Sequence, residues 1–369
     1  METTFWNSSG YGANDVLTTE ATTVCETVYH DQLNYYMYSS LDRWFLFCFL
    51  PTVVAIGIIG NIIIITLITK DKTLRTSPNM YLLALAVSDI IYLLSENLRG
   101  WVQYATSPVQ ADSSGIPFGV LKLFLFTRSS SILASCFIII AVSFDRYFCI
   151  CKPMRSLTST KKTAIKVCIA IWLLTSLYSS RMFFTAHLEK KCIIWPESDG
   201  IDFPEYVMYL YSCDPTRGSC VTLFVTEQLL VLIVIPISIT LHILMIMELR
   251  RVGQDHISED SARAAHEAKA RMIKILMTIV VIYAFCMAPY RLLNLFQHFL
   301  DLKLPSNFWI IYYINRILAS LNSSVNPIVY GLISKKFRHA IKNICFPPQS
   351  LVATRSKRRS HNATVCSKI

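Results

Sequence analysis

The stretch Leu321-Asn322-Ser323-Ser324-Val325-Asn326-Pro327-Ile328-Val329-Tyr330 lies inside a largely apolar run, residues 307–332. A membrane-spanning helix needs about 20 largely apolar residues, and this run is long enough. Inside hydrocarbon a proline breaks the backbone ladder, and the carbonyl it frees must find a donor. The asparagine just before it can supply one. The expected result is a kinked spanning helix able to move Tyr330, with a row of amides and hydroxyls that other helices must satisfy.

Six further apolar runs precede it, at 44–69, 78–104, 118–150, 163–186, 219–249 and 270–299. The 369-residue chain is 53% hydrophobic and only 16% charged, with a mean hydropathy of +0.44. A soluble chain would carry about 25% charge. The reading is an all-α membrane protein, a seven-transmembrane helix bundle over 44–333. An N-terminal tail covers 1–43 and a cytoplasmic tail 346–369. Between them, 334–345 forms a short amphipathic eighth helix whose stripe is Phe337, Ala340, Ile341 and Ile344. The polar N-terminus, without an apolar core of its own, predicts no cleavable signal peptide.

Net charge is +11, but its placement answers to a membrane and not to nucleic acid. Residues 1–42 contain no Lys or Arg. The basic residues gather around Lys70–Arg75, Lys152–Lys166, Arg250–Lys274 and Lys335–Lys368. Basic loops on one side set orientation, which puts the N-terminus outside the plasma membrane and the C-terminus in the cytosol. The twelve cysteines show no metal-ligand spacing. No internal repeat supports a transporter. The seventh run has no lysine to hold retinal, and the loops are too short for a catalytic domain, so no enzyme is expected.

Ionisable groups within spans mark function by default. Asp89 has no basic neighbour in sequence; Asn61, Ser135, Asn322, Ser323 and Asn326 are its expected polar partners. Together they make either an oxygen-rich cage suited to Na⁺ or a structural hydrogen-bond network around a protonated acid. Asp145-Arg146-Tyr147 closes the third span, where acid and base can pair locally. Arg128 and Arg316 are cations on the third and seventh spans. Glu96 on the second is a candidate counter-ion for one of them, while a guanidinium it leaves over would hold an acidic or amidated end. Tyr290, Asn294 and Gln297 recur at helical spacing and would line the pocket mouth. The aromatics Trp195, Phe203, Tyr206, Tyr209 and Tyr211 suggest a hairpin platform in the long loop before the fifth span.

Taken in order, these motifs resemble the rhodopsin-like (class A) G-protein-coupled receptors over nearly the whole chain. Gly60-Asn61, Leu85-Ala86-Val87-Ser88-Asp89, Asp145-Arg146-Tyr147, Trp172, Pro236, Pro289, Asn326-Pro327-Ile328-Val329-Tyr330 and Phe337 each fall on the expected helix. Ala288-Pro289-Tyr290-Arg291, Asn315-Arg316 and Leu321–Pro327 are similar to the peptide-receptor group of thyrotropin-releasing-hormone, ghrelin and neuromedin receptors. The resemblance implies a neuropeptide receptor that activates a heterotrimeric G protein. It makes Asp89, Ser135, Asn322, Ser323 and Asn326 a sodium site and Arg146 and Tyr330 activation switches. It also makes Pro153-Met154 a G-protein contact and Arg128 unsuited to monoamines. A fatty-acid receptor of the same fold, or a constitutive orphan, is the alternative.

The chain departs from the family's pattern in places. Leu121 stands where a cysteine usually staples the third helix to the second outer loop, and Ile116 where a tryptophan is usual. Four cysteines remain outside, Cys25, Cys192, Cys213 and Cys220, which allow three complete pairings; Cys213–Cys220 as a local loop with Cys25–Cys192 as a tether is favoured. Met287 replaces the toggle tryptophan and Tyr283 its phenylalanine partner. Lys269 takes the place of an acid that locks Arg146 in some members, leaving Asp145 alone for that task. Asn7 in Asn7-Ser8-Ser9 is the expected glycosylation site and Cys345 the palmitoylation site. The tail's Ser350, Thr354, Ser356 and Ser360 would recruit arrestin once phosphorylated. Ser367-Lys368-Ile369 resembles a PDZ ligand.

Overall fold

The computed structural model describes residues 25–152, 160–197, 200, 202–214, 218–254, 260–300, 308–334, 337–340 and 342. Seven helices form one bundle: α1 (Ser40–Lys70), α2 (Ser77–Thr106), α3 (Phe118–Cys151), α4 (Lys161–Ser179), α5 (Gly218–Leu232 continued by Val234–Gln254), α6 (Asp260–Leu300) and α7 (Phe308–Ile333). By length and composition six helices among the described residues can cross a membrane, α1 to α6. The seventh carries Asn315, Arg316, Asn322 and Asn326, which dilute its hydropathy. It still packs against α1, α2 and α6.

Helix α3 sits centrally, touching α2, α4, α5 and α6. The main apolar core runs between the helices from Leu46 to Tyr330 and Phe337. Large apolar side chains such as Leu173, Leu174 and Leu177 of α4 point outward and are exposed, as expected of surfaces that face lipid. Close approach of α1 and α7 depends on Gly57: a Cβ there would overlap the Ser324 hydroxyl. The interruption of α5 at Ile233 lies within one turn of Pro236, whose ring crowds the carbonyl four residues back.

Two helix starts differ from the sequence reading by four residues or more, and α4 ends at Ser179 and α5 at Gln254 instead of at 186 and 249. Helix α1 starts at Ser40, four residues early, because Ser39 and Asp42 form a reciprocal capping box: the Ser39 N–H donates to Asp42 Oδ2 (2.7 Å) and the Asp42 N–H to Ser39 Oγ (3.2 Å). Helix α6 extends ten residues further, back to Asp260.

Residues 25–39 are built into a cap and are not a loose tail. Strand β1 (Glu26–Thr27) pairs parallel with β2 (His187–Ile194), and β2 pairs antiparallel with β3 (Tyr206–Tyr211). Cys25 is bonded to Cys192 and Cys213 to Cys220, the pairing favoured from the sequence. The loop after α2 closes the cap: the Gln110 N–H donates to the Tyr36 carbonyl (2.7 Å) and the Ser113 N–H to the Met208 carbonyl (2.8 Å). Beneath them Val28, Val109, Ile193, Val207, Tyr209 and Tyr211 form a second small core. At Leu121 the missing staple is replaced by apolar packing with Ile116, Leu125, Met182 and Leu210.

At the far end of α7, residues 337–340 are helical, with Phe337 and Ala340 buried against the bundle. Residues 335, 336, 341 and 343–345 of the expected eighth helix, Cys345 included, lie outside the described residues, as do Asn7, Pro153, Met154 and the tail's phosphorylation and PDZ motifs.

Candidate functional site

Three polar centres lie along the bundle axis. In the middle, Asp89 is fully buried. Its Oδ2 accepts from Asn326 Nδ2 at 2.8 Å, and the Ser323 hydroxyl bonds it too. Asn61 ties α1 to α7 by donating to the Gly57 (2.9 Å) and Ser323 (3.0 Å) carbonyls. Ser135 and Asn322 are also buried, but the hydrogen bonds at Asp89 come from Asn326 and Ser323. Asp89 Oδ1, Asn61 Oδ1 and Ser320 Oγ are buried oxygens without a hydrogen-bond partner. A buried oxygen left unbonded costs about 1–3 kcal/mol. A hard cation coordinated by oxygens fits such a donor set.

Toward the hairpin, the guanidiniums of Arg99, Arg128 and Arg316 surround the Glu96 carboxylate. Glu96 takes Arg99 Nη2 at 2.9 Å and Arg128 Nε at 3.2 Å. Arg316 Nη2 donates to the Glu96 (3.1 Å) and Asn97 (3.4 Å) carbonyls. Gly100 makes room for this, since a Cβ there would overlap the Arg316 guanidinium. On α6, Arg291 Nη1 donates to Gln228 Oε1 of α5 at 3.0 Å, and Arg291, Gln228 and Asn294 are all buried. Tyr92 lies within electrostatic reach of Glu96, Arg128, Arg291 and Arg316, so these charges share one neighbourhood. Tyr290 and Gln297 are half-buried on the same face region of α6.

The sequence reading missed Arg99, Arg291 and the ion pair that joins Arg181, just after α4, to Glu227 of α5. All are charges inside spans, the signal that marks functional groups. The hairpin expected in the long loop is present as β2–β3, with two of its five aromatics turned into the cap's core. Tyr209 and Tyr211 are 2% and 5% exposed and belong to the cap's core, while Trp195 stacks on Phe203 at 4.8 Å with its Nε1 on the Pro204 carbonyl. The alternation of β3 turns Val207, Tyr209 and Tyr211 to the same buried face. In the cap, Tyr36 donates to Glu26 Oε1 at 3.0 Å; burial first, then this carboxylate, pushes the phenol up to about 12.

At the opposite end, Arg146 Nε donates to Asp145 Oδ2 at 3.0 Å, and the Ser77 hydroxyl donates to Asp145 Oδ1 at 3.1 Å. Arg146 Nη1 reaches Met272 Sδ on α6 at 3.3 Å. Arg146 therefore has a second, weak contact beyond Asp145, and Lys269 is exposed. A cavity of about 290 Å³ opens here, lined by Asn79, Arg146, Arg271, Met272, Tyr330 and Phe337 among others. The Tyr330 hydroxyl is buried without a partner. Tyr147 packs edge-on against Phe148 at 5.6 Å.

Between the two ends, Tyr283 of α6 replaces an apolar contact with a polar one. Its hydroxyl donates to the Val231 carbonyl at 2.7 Å and meets Cys136 Sγ at 2.9 Å, joining α3, α5 and α6. Met287, one turn on, is 5% exposed in the main core.

A profile of the seven-transmembrane receptor (rhodopsin family) matches residues 60–330. The neuromedin-U receptor 2 of Mus musculus is 28% identical over 305 residues, covering 79% of this chain and 73% of the relative. The thyrotropin-releasing hormone receptor of Gallus gallus is 26% identical over 318 residues, covering 79% and 75%. G-protein coupled receptor 54 of Oreochromis niloticus is 26% identical over 324 residues, covering 82% and 78%. With this match over most of its length, the chain belongs to the rhodopsin family of seven-transmembrane receptors: it is a multi-pass membrane signalling receptor and not an enzyme.

Proposed function

We propose that this receptor sits in the plasma membrane with its N-terminus outside, binds an extracellular neuropeptide with an amidated or acidic end, and activates a heterotrimeric G protein. The observation that carries the reading is the separation of two built polar centres. A cluster of buried guanidiniums and amides lies under the cap, and the Asp145–Arg146 pair lies beside a cavity at the other end. The similarity to the neuromedin-U receptor 2 and the thyrotropin-releasing hormone receptor supports a peptide as ligand.

In this reading Arg316, Asn294 and Gln297 meet the ligand under the cap, with Tyr290 at the mouth. Glu96 and Arg128 hold the cluster's shape. Asp89, Ser323 and Asn326, with Asn61, Ser135 and Asn322 around them, bind Na⁺ in the resting bundle. The membrane end releases Arg146 from Asp145 when α6 moves Met272 away, and Tyr330 turns with the Pro327 kink. Met154, Cys345 and the tail would serve the G protein, palmitate, arrestin and a PDZ protein in turn, and Asn7 would carry glycan.

A fatty-acid ligand is the second reading, because the same guanidiniums suit its carboxylate. Trypsin treatment of an active tissue extract separates them in cells expressing the receptor: calcium or cAMP responses vanish for a peptide and persist for a lipid.

A further inference from the structure

We propose that a phospholipid with an anionic headgroup seats its acyl chain in a hollow between α5 and α6, with its phosphate against Lys274. The leaflet on the Arg146 side supplies it, which is the cytosolic leaflet in the orientation proposed above. The binding itself rests neither on that orientation nor on the peptide reading.

The hollow measures about 480 Å³, between Ile246 and Leu249 of α5 and a stripe of α6 that runs from Ala270 through Lys274 and Thr278 to Ile282. Its α6 positions recur at three- and four-residue spacing, so they share one face. A helix rises about 1.5 Å per residue, which makes the stripe about 18 Å long. That is close to the hydrocarbon depth of one leaflet, about 15 Å. The hollow faces the surrounding membrane: Val281 on its wall is 58% exposed, and Met247 beside Ile246 is 61% exposed.

Its depth follows from side-chain size. Elsewhere the outer surface stands out in ridges, as at Leu173, Leu174 and Leu177 of α4. Here Ala270 and Thr278 are short. The Thr278 hydroxyl donates to the Lys274 carbonyl at 2.8 Å, so it leaves no unmet polar group on an apolar wall. One turn before Ala270, His266 Nε2 meets the Leu249 carbonyl at 3.1 Å and ties α6 to α5. A hollow in hydrocarbon forfeits dispersion contacts until a flexible chain fills it.

Charge selects the headgroup. Lys274 is exposed and interrupts the apolar wall; a lysine in a span extends its stem to bring the ammonium to the interface. Among the described residues it takes part in no ion pair, and neither do the exposed Lys269 and Arg250, which adjoin Ala270 and Leu249 in the chain. The carboxylates of the same stretches are engaged, Glu248 with Arg251 at 2.9 Å and Glu267 with Arg263 at 3.6 Å. An apolar slot with unanswered cations beside it matches the two halves of an anionic phospholipid. A zwitterionic lipid brings its own cation, and a sterol brings no phosphate.

Photolabelling of the full-length receptor in phosphatidylcholine nanodiscs tests this. The probes are phosphatidylglycerol and phosphatidylcholine, each with a diazirine in the acyl chain, and a diazirine sterol. Adducts on residues 246–249 and 270–282 are expected to favour phosphatidylglycerol about fivefold, the ratio that one lysine at a charged surface supplies. Lys274→Gln should bring the two phospholipids to parity, and Lys274→Arg should keep the preference. Ala270→Leu with Thr278→Leu, which fills the hollow, should cut adducts from both. The comparison of probes on the unsubstituted receptor stands even where a variant fails to fold. Equal labelling by the two phospholipids, stronger labelling by the sterol, or a preference unchanged in Lys274→Gln would overturn the proposal. Nanodiscs present both leaflets, so the result is read whichever way the receptor faces and whatever ligand activates it.

Discussion

Asn326 of α7 donates to the Asp89 carboxylate of α2 at 2.8 Å, a contact between residues 237 positions apart at the centre of the bundle. The second Asp89 oxygen and Asn61 Oδ1 are left without hydrogen-bond partners. Bound Na⁺ would stabilise the form that binds it by mass action. Exchanging N-methylglucamine for Na⁺ is therefore expected to raise the unfolding midpoint of the receptor, and Asp89→Asn to remove that increment. An equal sodium increment in the variant would show that the ion acts elsewhere.

The bond between Cys25 and Cys192 ties residues 25–39 to the hairpin. Losing such a bond costs about 2–5 kcal/mol in small domains. Cys25→Ser, Cys192→Ser and the double variant should lower the midpoint by the same amount, since all three break one bond. A double variant markedly worse than either single would show that the cysteines act independently.

Arg146 reaches Met272 through a thioether, a weak acceptor. Met272→Glu would offer a carboxylate at the same place, and a charged hydrogen bond is about twice as strong as a neutral one. Ligand-independent second-messenger output should fall severalfold in Met272→Glu at equal surface expression. Unchanged or higher output would remove Met272 from the resting lock.

Tyr283→Phe keeps the ring and deletes the hydroxyl that joins Val231 and Cys136. Interhelical hydrogen bonds in membranes are worth about 1 kcal/mol, so the variant should unfold at a lower midpoint and show altered basal output. A midpoint equal to that of the unsubstituted receptor would mean the contact contributes nothing.

The cap has its own pH signature. Tyr36 titrates at about 12 in the folded cap, against an ordinary 10.0. The folded state therefore favours the neutral phenol: its contribution is complete below pH 10.0 and is lost as pH rises toward 12. Spectroscopic phenolate titration of the receptor minus that of Tyr36→Phe should isolate a late-ionising group. A difference curve centred at the ordinary value would place Tyr36 in solvent.

The spans were legible because hydrocarbon demands long apolar runs, whatever the helices later touch. Asp89 and Asn326 were legible because a polar group in a span has few partners to choose from. Other features needed the three-dimensional neighbours. The capping box at Ser39 and Asp42 was written in the sequence, yet only the Gln110 Nε2 contact to Asp42 (2.8 Å) shows how it is anchored in the cap. Tyr209 and Tyr211 read as loop aromatics until strand pairing turned them inward. Arg291 lay in a quoted motif, but its partner Gln228 is 63 positions away. Neither Cys136 nor Tyr283 signals anything alone; the contact exists because α3 and α6 cross there.

The central claim, a ligand end and a transducer end joined through one bundle, is tested most directly by calcium and cAMP output in cells expressing the receptor. Amidated and acidic peptides would be applied to the unsubstituted chain, to Arg316→Ala and to Arg146→Ala, all at matched surface expression. The account predicts a peptide response that Arg316→Ala weakens at least about tenfold in potency and that Arg146→Ala abolishes at every dose. A response that survives Arg146→Ala at full amplitude would contradict it.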